Sequence, residues 1–422
     1  MFKFNFSAAD LEFDDPELAN TQDDNQLEDL SKPLESLSVS SPSLVPASQL
    51  DLQSKSCTSS LPLTLHYELA QIPVLTQGSD ATTAIATDTK TGKEKEVITI
   101  YKRNLEDVKF QIAQEDDEFD DKNDTAPAHS TSEAANQGGA RTGPGGVEML
   151  ALAGKSDLVK GVYEGGLKTW ECALDLVAYL AEQKGSYDDK KVLELGCGSA
   201  LPGIYVLTQS SSVKVDLQDY NDQVLKLVTL PNVLLNTHVR PDQQPDEEVE
   251  EEVEDDKKKT ADGADDNDEG EDEDDEDEDD VPEADPADGD FMGVELDLPD
   301  SDEDRLKLMQ KVEEQTKFYM GDWSELVDLF AFKSDEDKYD LILTSETIYA
   351  EESHQKLYDT IKNSLKRSGK ALVAAKTFYF GVGGDILSFR RLIEKDGAFD
   401  VKVVFSAQAF VRREVLELTF KA

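Results

Sequence analysis

From about Glu148 to the C-terminus, apolar strand-like runs alternate with amphipathic helix-like runs, and the last two strand-like runs follow each other with no helix between. The strands read KKVLELGCGS, VKVDLQDYN, TKFYMGDW, KYDLILTSETIY and KALVAAKTFYF, then DVKVVFSAQ and EVLELTFKA. Strands this apolar, each separated by a helix, require a parallel sheet covered on both faces. The closing pair requires a hairpin and hence one antiparallel member. The helices are read over Trp170–Gln183, LPGIYVLTQ, DQVLKLVTLPNVLLNTHV (broken or kinked at Pro231), a short run after Arg305, SELVDLFAFK, HQKLYDTIKNSLKRSG with a stop at Gly369, and GDILSFRRLIEKDG.

One block breaks the alternation. Residues 241–304 hold 35 acidic and 3 basic side chains, including the run EDEDDEDEDD at Glu271–Asp280. Such a run cannot pack and is expected as a solvated, disordered loop insertion. It supplies a net −32 of the chain's −50; residues 1–145 supply −15, and the remaining 213 residues only −3. The expected organisation is therefore a largely disordered acidic region over 1–145 and an α/β domain over 146–422 that carries the insertion. Within 1–145, the stretches LTLHYELAQIPVL and KEVITIYKRNLEDVKFQI are apolar enough to dock short elements on the domain.

This charge excludes a nucleic-acid surface, which needs a basic footprint, and favours a basic protein partner. No run of about 18 apolar residues spans a membrane. The opening MFKFNFSAADLEFDDPE lacks an apolar h-region and is not expected to be a signal peptide. Three cysteines suit a reducing compartment. A monomer of the cytoplasm or nucleus, with no metal cluster, is expected.

Val192–Ser199 (VLELGCGS) is a buried strand entering a Gly-x-Gly turn, where backbone can approach a ligand at a helix N-terminus. Leu201 stands where a dinucleotide fingerprint wants a third glycine, so Gly196 and Gly198 suit a nucleoside without a pyrophosphate. Glu194 within that strand needs a buried partner; it is either a satisfied structural carboxylate or a group near the methionine portion of the ligand. Asp219 ends the second strand, placed to accept ribose hydroxyls. Asp216 competes from mid-strand, and a helix cap is the plainer role for Asp219 or Asn221. Asp322 after the third strand is placed to receive an adenine amino group, to cap a helix, or both. Ser345 and Glu346 end the fourth strand, over the crevice where open α/β sheets bind ligands.

VYEGGLKTWECALDLVAYL, VLELGCGSALPG, LQDYN, LPNVLLN, GDWSEL, YDLILTSETIY and KTFYFGVGGD together resemble the histidine protein methyltransferase family over roughly 157–240 and 317–422. VYEGGLKTWEC and YFGVGG are specific to that family, whereas GCG is widespread. The resemblance implies a Rossmann-like, seven-stranded S-adenosylmethionine-dependent sheet with the C-terminal hairpin. It implies cofactor contacts at Thr169, Trp170, Glu171, Cys172, Ala173, Gly196, Gln218, Asp219, Tyr220, Gly321, Asp322, Trp323 and Ser345. Periodicity alone would make Trp170 core, whereas the resemblance makes it a lid. Phe380, Gly381, Val382, Gly383 and Gly384 become a substrate loop rather than a plain strand-to-helix turn. Two positions depart from the pattern: Ala200 stands where Gly is usual and is expected to be tolerated as a small residue, and Asp385 adds charge beside the loop.

The implied reaction is methylation of a histidine in a large-subunit ribosomal protein, touching ribosome assembly and translation. In-line displacement at a sulfonium needs alignment and exclusion of water more than a strong base. A free imidazole, pKa about 6.5, is roughly three-quarters neutral at pH 7, whereas lysine is neutral less than about 0.1 % of the time. The absence of a dedicated base in the sequence agrees with a histidine acceptor, and Glu164, Glu346 and Tyr349 are the candidates for holding the imidazole. Two rivals stand beside this reading: a lysine methyltransferase of the same fold, and a non-catalytic acidic chaperone for ribosomal proteins or histones.

Overall fold

The computed structural model describes residues 45–74, 96–112, 165–243 and 294–422. Among them, eight strands form one sheet in the order β1-β7-β5-β4-β8-β9-β11-β10. The middle of the sheet is parallel: β7 (Thr316–Met320), β5 (Lys214–Asp219), β4 (Lys191–Leu195), β8 (Tyr339–Ser345) and β9 (Leu365–Lys376). The hairpin lies antiparallel at one edge, with β11 (Arg413–Phe420) inserted between β9 and β10 (Phe399–Ala407). At the other edge the two-residue β1 (Ser48–Gln49) pairs antiparallel with β7. Without β1, the order is the seven-stranded sheet expected.

Strand alternation sorts the side chains into two cores. Val192, Val215 and Leu217 face one, shared with Leu176 and Ile204 of the helices Glu171–Gln183 (α1) and Leu201–Gln209 (α2). Leu193, Leu195, Ile342 and Leu416 face the other, against Leu326, Ile361 and Phe389 of the helices Trp323–Phe330, His354–Ser364 and Ile386–Asp396. Burial on both faces is why these strands read as continuous apolar runs.

A second, three-stranded antiparallel sheet has the order β3-β2-β6: Val97–Arg103, Thr64–Pro73 and Val294–Asp297. Its Leu65, Tyr67, Ile72 and Ile100 join the first core. Both apolar stretches of the N-terminal region are thus strands of the folded body, and residues 105–112 add a helix. Strand β6 and the first turn of the helix Asp302–Glu313, capped by Ser301 accepting from the Asp304 N–H, fall at the end of residues 241–304, the stretch expected as a disordered insertion.

Two helix boundaries differ from expectation. Asp222–Val224, Leu225–Thr229 and Leu230–Thr237 run on as one helix through Pro231, the middle turn being π-helical. Pro231 deprives the Leu227 carbonyl, four residues earlier, of its helical donor, and the Arg103 guanidinium supplies one instead at 2.8 Å. Gly369 is no helix stop: the helix ends at Ser364 and β9 already runs through Gly369. A Cβ there would lie 2.8 Å from the Asp340 carbonyl oxygen, so the glycine serves close strand approach beside an irregularity in the β8–β9 register.

Candidate active site

The C-terminal ends of β4, β5, β7 and β8 lie side by side in the parallel sheet, and the turns leaving them occupy the edge where open α/β sheets hold ligands in a crevice. After Leu195 the chain passes Gly196, Gly198 and Ala200 at φ of 60°, 49° and 56°. A Cβ at Gly196 would sit 2.6 Å from the Thr347 methyl, so neither its backbone angle nor its space admits a side chain. At Ala200 the usual glycine serves a left-handed backbone angle and not merely small volume, so size alone does not excuse the alanine.

One amide ties two of these turns to β5. Gln218, fully buried, accepts from the Gly196 N–H (3.2 Å) and the Trp323 indole N–H (2.8 Å) through Oε1, and donates through Nε2 to the Gly321 carbonyl (2.9 Å). Beside it the Asp219 carboxylate accepts from the Gly198 N–H (2.9 Å) and the Asn221 N–H (3.3 Å). Tyr220 follows at the strand end, half-buried. The competing Asp216 lies away from the crevice, accepting the Tyr339 hydroxyl at 2.8 Å, and burial pushes its carboxyl up to about 6. Asp322 caps the helix Trp323–Phe330 through Oδ1, to the Ser324 N–H and hydroxyl, and pairs with Lys356 through Oδ2 at 2.8 Å. Its cap role is filled, and Oδ2, engaged once, keeps a second lone-pair site.

Glu194 is a correction. The strand's alternation turns it onto the Val192 face, 1 % exposed, where Oε2 accepts the Gly203 N–H of α2 at 2.8 Å and Oε1 has no partner. It lies beneath the glycine turn and does not wall the crevice, and burial pushes its carboxyl up to about 8.

The opposite wall is the entry to α1. Thr169 donates to the Ser199 hydroxyl oxygen at 2.9 Å. Trp170 is not core: half-buried at the helix N-cap, it donates its indole N–H to the Gly165 carbonyl (3.0 Å) between the ammonium groups of Lys168 and Lys376, 4.9 and 5.2 Å from its ring. Cys172 and Ala173 are buried in the first turn, and Glu171 pairs with Lys376 at 2.9 Å.

At the centre stands Glu346. Its φ is 58°, a left-handed angle unusual for a residue with a Cβ and worth about 1–3 kcal/mol of strain. Oε1 accepts from the Cys172 N–H (3.4 Å) and lies 3.5 Å from the Lys376 ammonium, while the buried Oε2 has no partner. Tyr379 lies alongside; burial and the Glu346 charge push its phenol well above its usual range, so it stays a donor. Tyr349 meets Tyr379 edge to face at 6.4 Å, and its carbonyl accepts the Gly384 N–H at 2.8 Å. His354, buried in the next helix, holds the same turn by donating Nε2–H to the Ile348 carbonyl at 2.8 Å. Ser345, partly buried, ends β8 immediately before. Glu164 lies outside the described residues.

The loop Phe380–Gly384 begins at this point. Phe380 is 70 % exposed and stacks edge to face on Phe378 at 4.9 Å. Gly381 and Gly383 take φ of 79° and 89°, and Val382 is exposed between them. Gly384 packs so closely on Ile348 and Tyr349 that a Cβ would approach the Ile348 carbonyl oxygen to 2.2 Å. The extra charge of Asp385 is absorbed as the N-cap of Ile386–Asp396, accepting the Ser388 N–H at 2.6 Å. Sequence reasoning missed Lys376, Tyr379 and Thr347 as members of the site. The first two sit inside KTFYF, the end of the strand read as KALVAAKTFYF, and no periodicity distinguishes them from other strand-end residues.

A protein-family model described as lysine methyltransferase matches residues 155–258. The chain is 34 % identical over 275 residues to the Bos taurus histidine protein methyltransferase 1 homolog, covering 64 % of this chain and 59 % of that one. The Dictyostelium discoideum homolog is 34 % identical over 272 residues, 64 % and 62 %. The Schizosaccharomyces pombe histidine protein methyltransferase 1 is 30 % identical over 333 residues, 75 % of this chain and 76 % of that one. The chain thus spans about three-fifths of the length of the bovine and Dictyostelium relatives and three-quarters of the yeast one.

Proposed function

We propose that this chain, which belongs to the histidine protein methyltransferase family, methylates an imidazole nitrogen of a histidine in a basic protein, a ribosomal protein of the large subunit being the substrate we expect. S-adenosylmethionine, the methyl donor of this family, supplies a sulfonium-bound methyl group open to in-line displacement. The residues fit such a donor: a glycine turn that a Cβ at Gly196 would obstruct, tied by Gln218 to the turn after β7. Gly196–Gly198, Gln218–Tyr220, Gly321–Trp323, Thr169 and Trp170 are the groups that would hold it.

The observation that carries the acceptor assignment is the orphaned Oε2 of Glu346. A buried carboxylate oxygen without a donor is costly, and a neutral imidazole has a donor to give: one ring nitrogen attacks while the other presents N–H. Lys376 and the Cys172 N–H engage Oε1; Oε2 is buried beside the Tyr379 hydroxyl, so the acceptor imidazole reaches it only as the neighbouring side chains part. Held in this way, the imidazole is fixed in tautomer and direction, and most of the barrier is met by alignment. Tyr379 borders the carboxylate, with the Tyr349 ring edge to face upon it, and limits water there. Phe378 and Phe380, exposed beside Lys376, offer apolar contact to the polypeptide flanking the acceptor. A net charge of −50 favours encounter with a basic protein.

The family model described as lysine methyltransferase makes lysine the rival acceptor, and the pH profile of kcat/KM separates the two. For a histidine acceptor with pKa about 6.5 the profile levels above about pH 7; for a lysine near 10.4 it climbs about tenfold per pH unit well beyond pH 8. A continuing climb would favour lysine.

A further inference from the structure

The N-terminal strand β3 and the helix over 105–112 reach the glycine turn through one side chain. Asn232, fully buried, accepts the Arg103 backbone N–H through Oδ1 at 2.7 Å and donates Nδ2 to the Ser199 carbonyl at 2.9 Å. One turn earlier, Thr229 donates to the Gly198 carbonyl at 2.7 Å. The outer half of the glycine turn is therefore held by two side chains of a single helix. That helix is unusual there: Leu225–Thr229 is the π-helical turn, and the carbonyl stripped of its donor by Pro231 is the one that Arg103 Nη1 fills. The Arg103 side chain, 0 % exposed, is fixed in turn by Asp107 (2.6 Å) and Gln111 (2.7 Å) of the N-terminal helix. The same helix packs Val108 and Ile112 on Leu167, Leu227 and Val228. Leu167 lies two residues before Thr169, so residues 96–112 brace the second wall of the crevice as well.

We propose that Asn232 is a positioning residue through which residues 96–112 set the conformation of the cofactor turn, making this N-terminal segment a working part of the methyl-donor site. The proposal rests on the reading of Gly196–Ser199 as a cofactor turn. Asn236 is the built-in comparison. It docks the same strand, accepting the Tyr101 N–H at 3.0 Å and donating to the Tyr101 carbonyl at 2.7 Å; it also donates to the Asn232 backbone carbonyl at 2.7 Å, but makes no hydrogen bond to the turn. A merely structural role for the asparagines predicts equal consequences at both sites; positioning predicts a split.

The test is made on the full chain with Asn232→Ala, Asn236→Ala and the near-isosteric Asn232→Asp, which keeps the acceptor for Arg103 but loses the donor to Ser199 when ionised. Calorimetry with S-adenosylhomocysteine should give a Kd about tenfold weaker for both Asn232 variants. Asn236→Ala should stay within about twofold while losing thermal stability. In the ligand-free chain, amide exchange at Gly198–Leu201 should rise in the Asn232 variants and not in Asn236→Ala. Unchanged exchange in the Asn232 variants, or an equal rise in Asn236→Ala, would overturn the proposal. If the unsubstituted chain gave no heat with S-adenosylhomocysteine, the cofactor reading itself would fall, and the exchange comparison would still decide the role of Asn232.

Discussion

At the scale of single residues, the site concentrates backbone strain and an unsatisfied carboxylate oxygen in one side chain. Glu346 combines a left-handed backbone angle with an oxygen that has no donor. Glu346→Gln should lower kcat by roughly 10²-fold, since a primary amide orients the imidazole less well than a carboxylate. S-adenosylhomocysteine affinity, read by calorimetry, should change by less than about threefold. Ala200, at φ 56° in the buried N-cap of α2, carries strain of a different kind. Ala200→Gly should raise unfolding stability by about 1 kcal/mol in a denaturant titration. Glu194 gives a pH signature. Its folded pKa of about 8 lies above the unfolded value, so in that interval the folded state holds a proton that the unfolded state releases. Its contribution is therefore present below about pH 4.5 and lost as pH rises to about 8. Glu194→Gln should flatten that decline in melting temperature, and an unchanged slope would show that the carboxyl is ionised in the fold.

At the scale of elements, the order of strands and helices was legible because apolar periodicity reports burial directly. The closing pair of strands was legible because no helical run separates them. What escaped were features governed by partners distant in sequence. Pro231 reads as a helix break because its own chain cannot satisfy Leu227; the remedy is Arg103, 124 residues away. Gly369 reads as a stop because a glycine in a strand looks the same as one at a helix end until the Asp340 carbonyl is placed against it. The site divided in the same way: strand-end position alone selected Asp219, Ser345 and Glu346, while Lys376 and Tyr379 needed the tertiary fold, and the two roles open to Glu194 could be weighed only once the Gly203 N–H was placed against it. The loop Phe380–Gly384 yields a prediction at this level. Gly384→Ala would drive a methyl into the Ile348 carbonyl and undock the loop from Tyr349. Methyl transfer to protein should fall at least tenfold while S-adenosylhomocysteine binding persists; a full rate would exclude the docked loop from the reaction.

At the scale of the whole molecule, the charge of −50 divides between a nearly neutral body and two acidic regions, and the fold draws the N-terminal one partly into the body through β2, β3 and residues 105–112. We propose that the stretch around Glu271–Asp280 recruits the basic substrate by long-range attraction, a role independent of the crevice. Deleting residues 246–290 should leave kcat intact and raise KM for a basic protein severalfold at low salt, with the difference shrinking as ionic strength rises and the Debye length shortens. A salt-independent KM would remove recruitment from the account. The central claim is narrower: the acceptor is an imidazole held by Glu346. The most direct measurement incubates the purified chain with methyl-labelled S-adenosylmethionine and large ribosomal subunits from cells lacking the enzyme, then hydrolyses the labelled protein to amino acids. Label in methylhistidine, lost on Glu346→Gln, is the predicted result; label in methyllysine with no methylhistidine would contradict it.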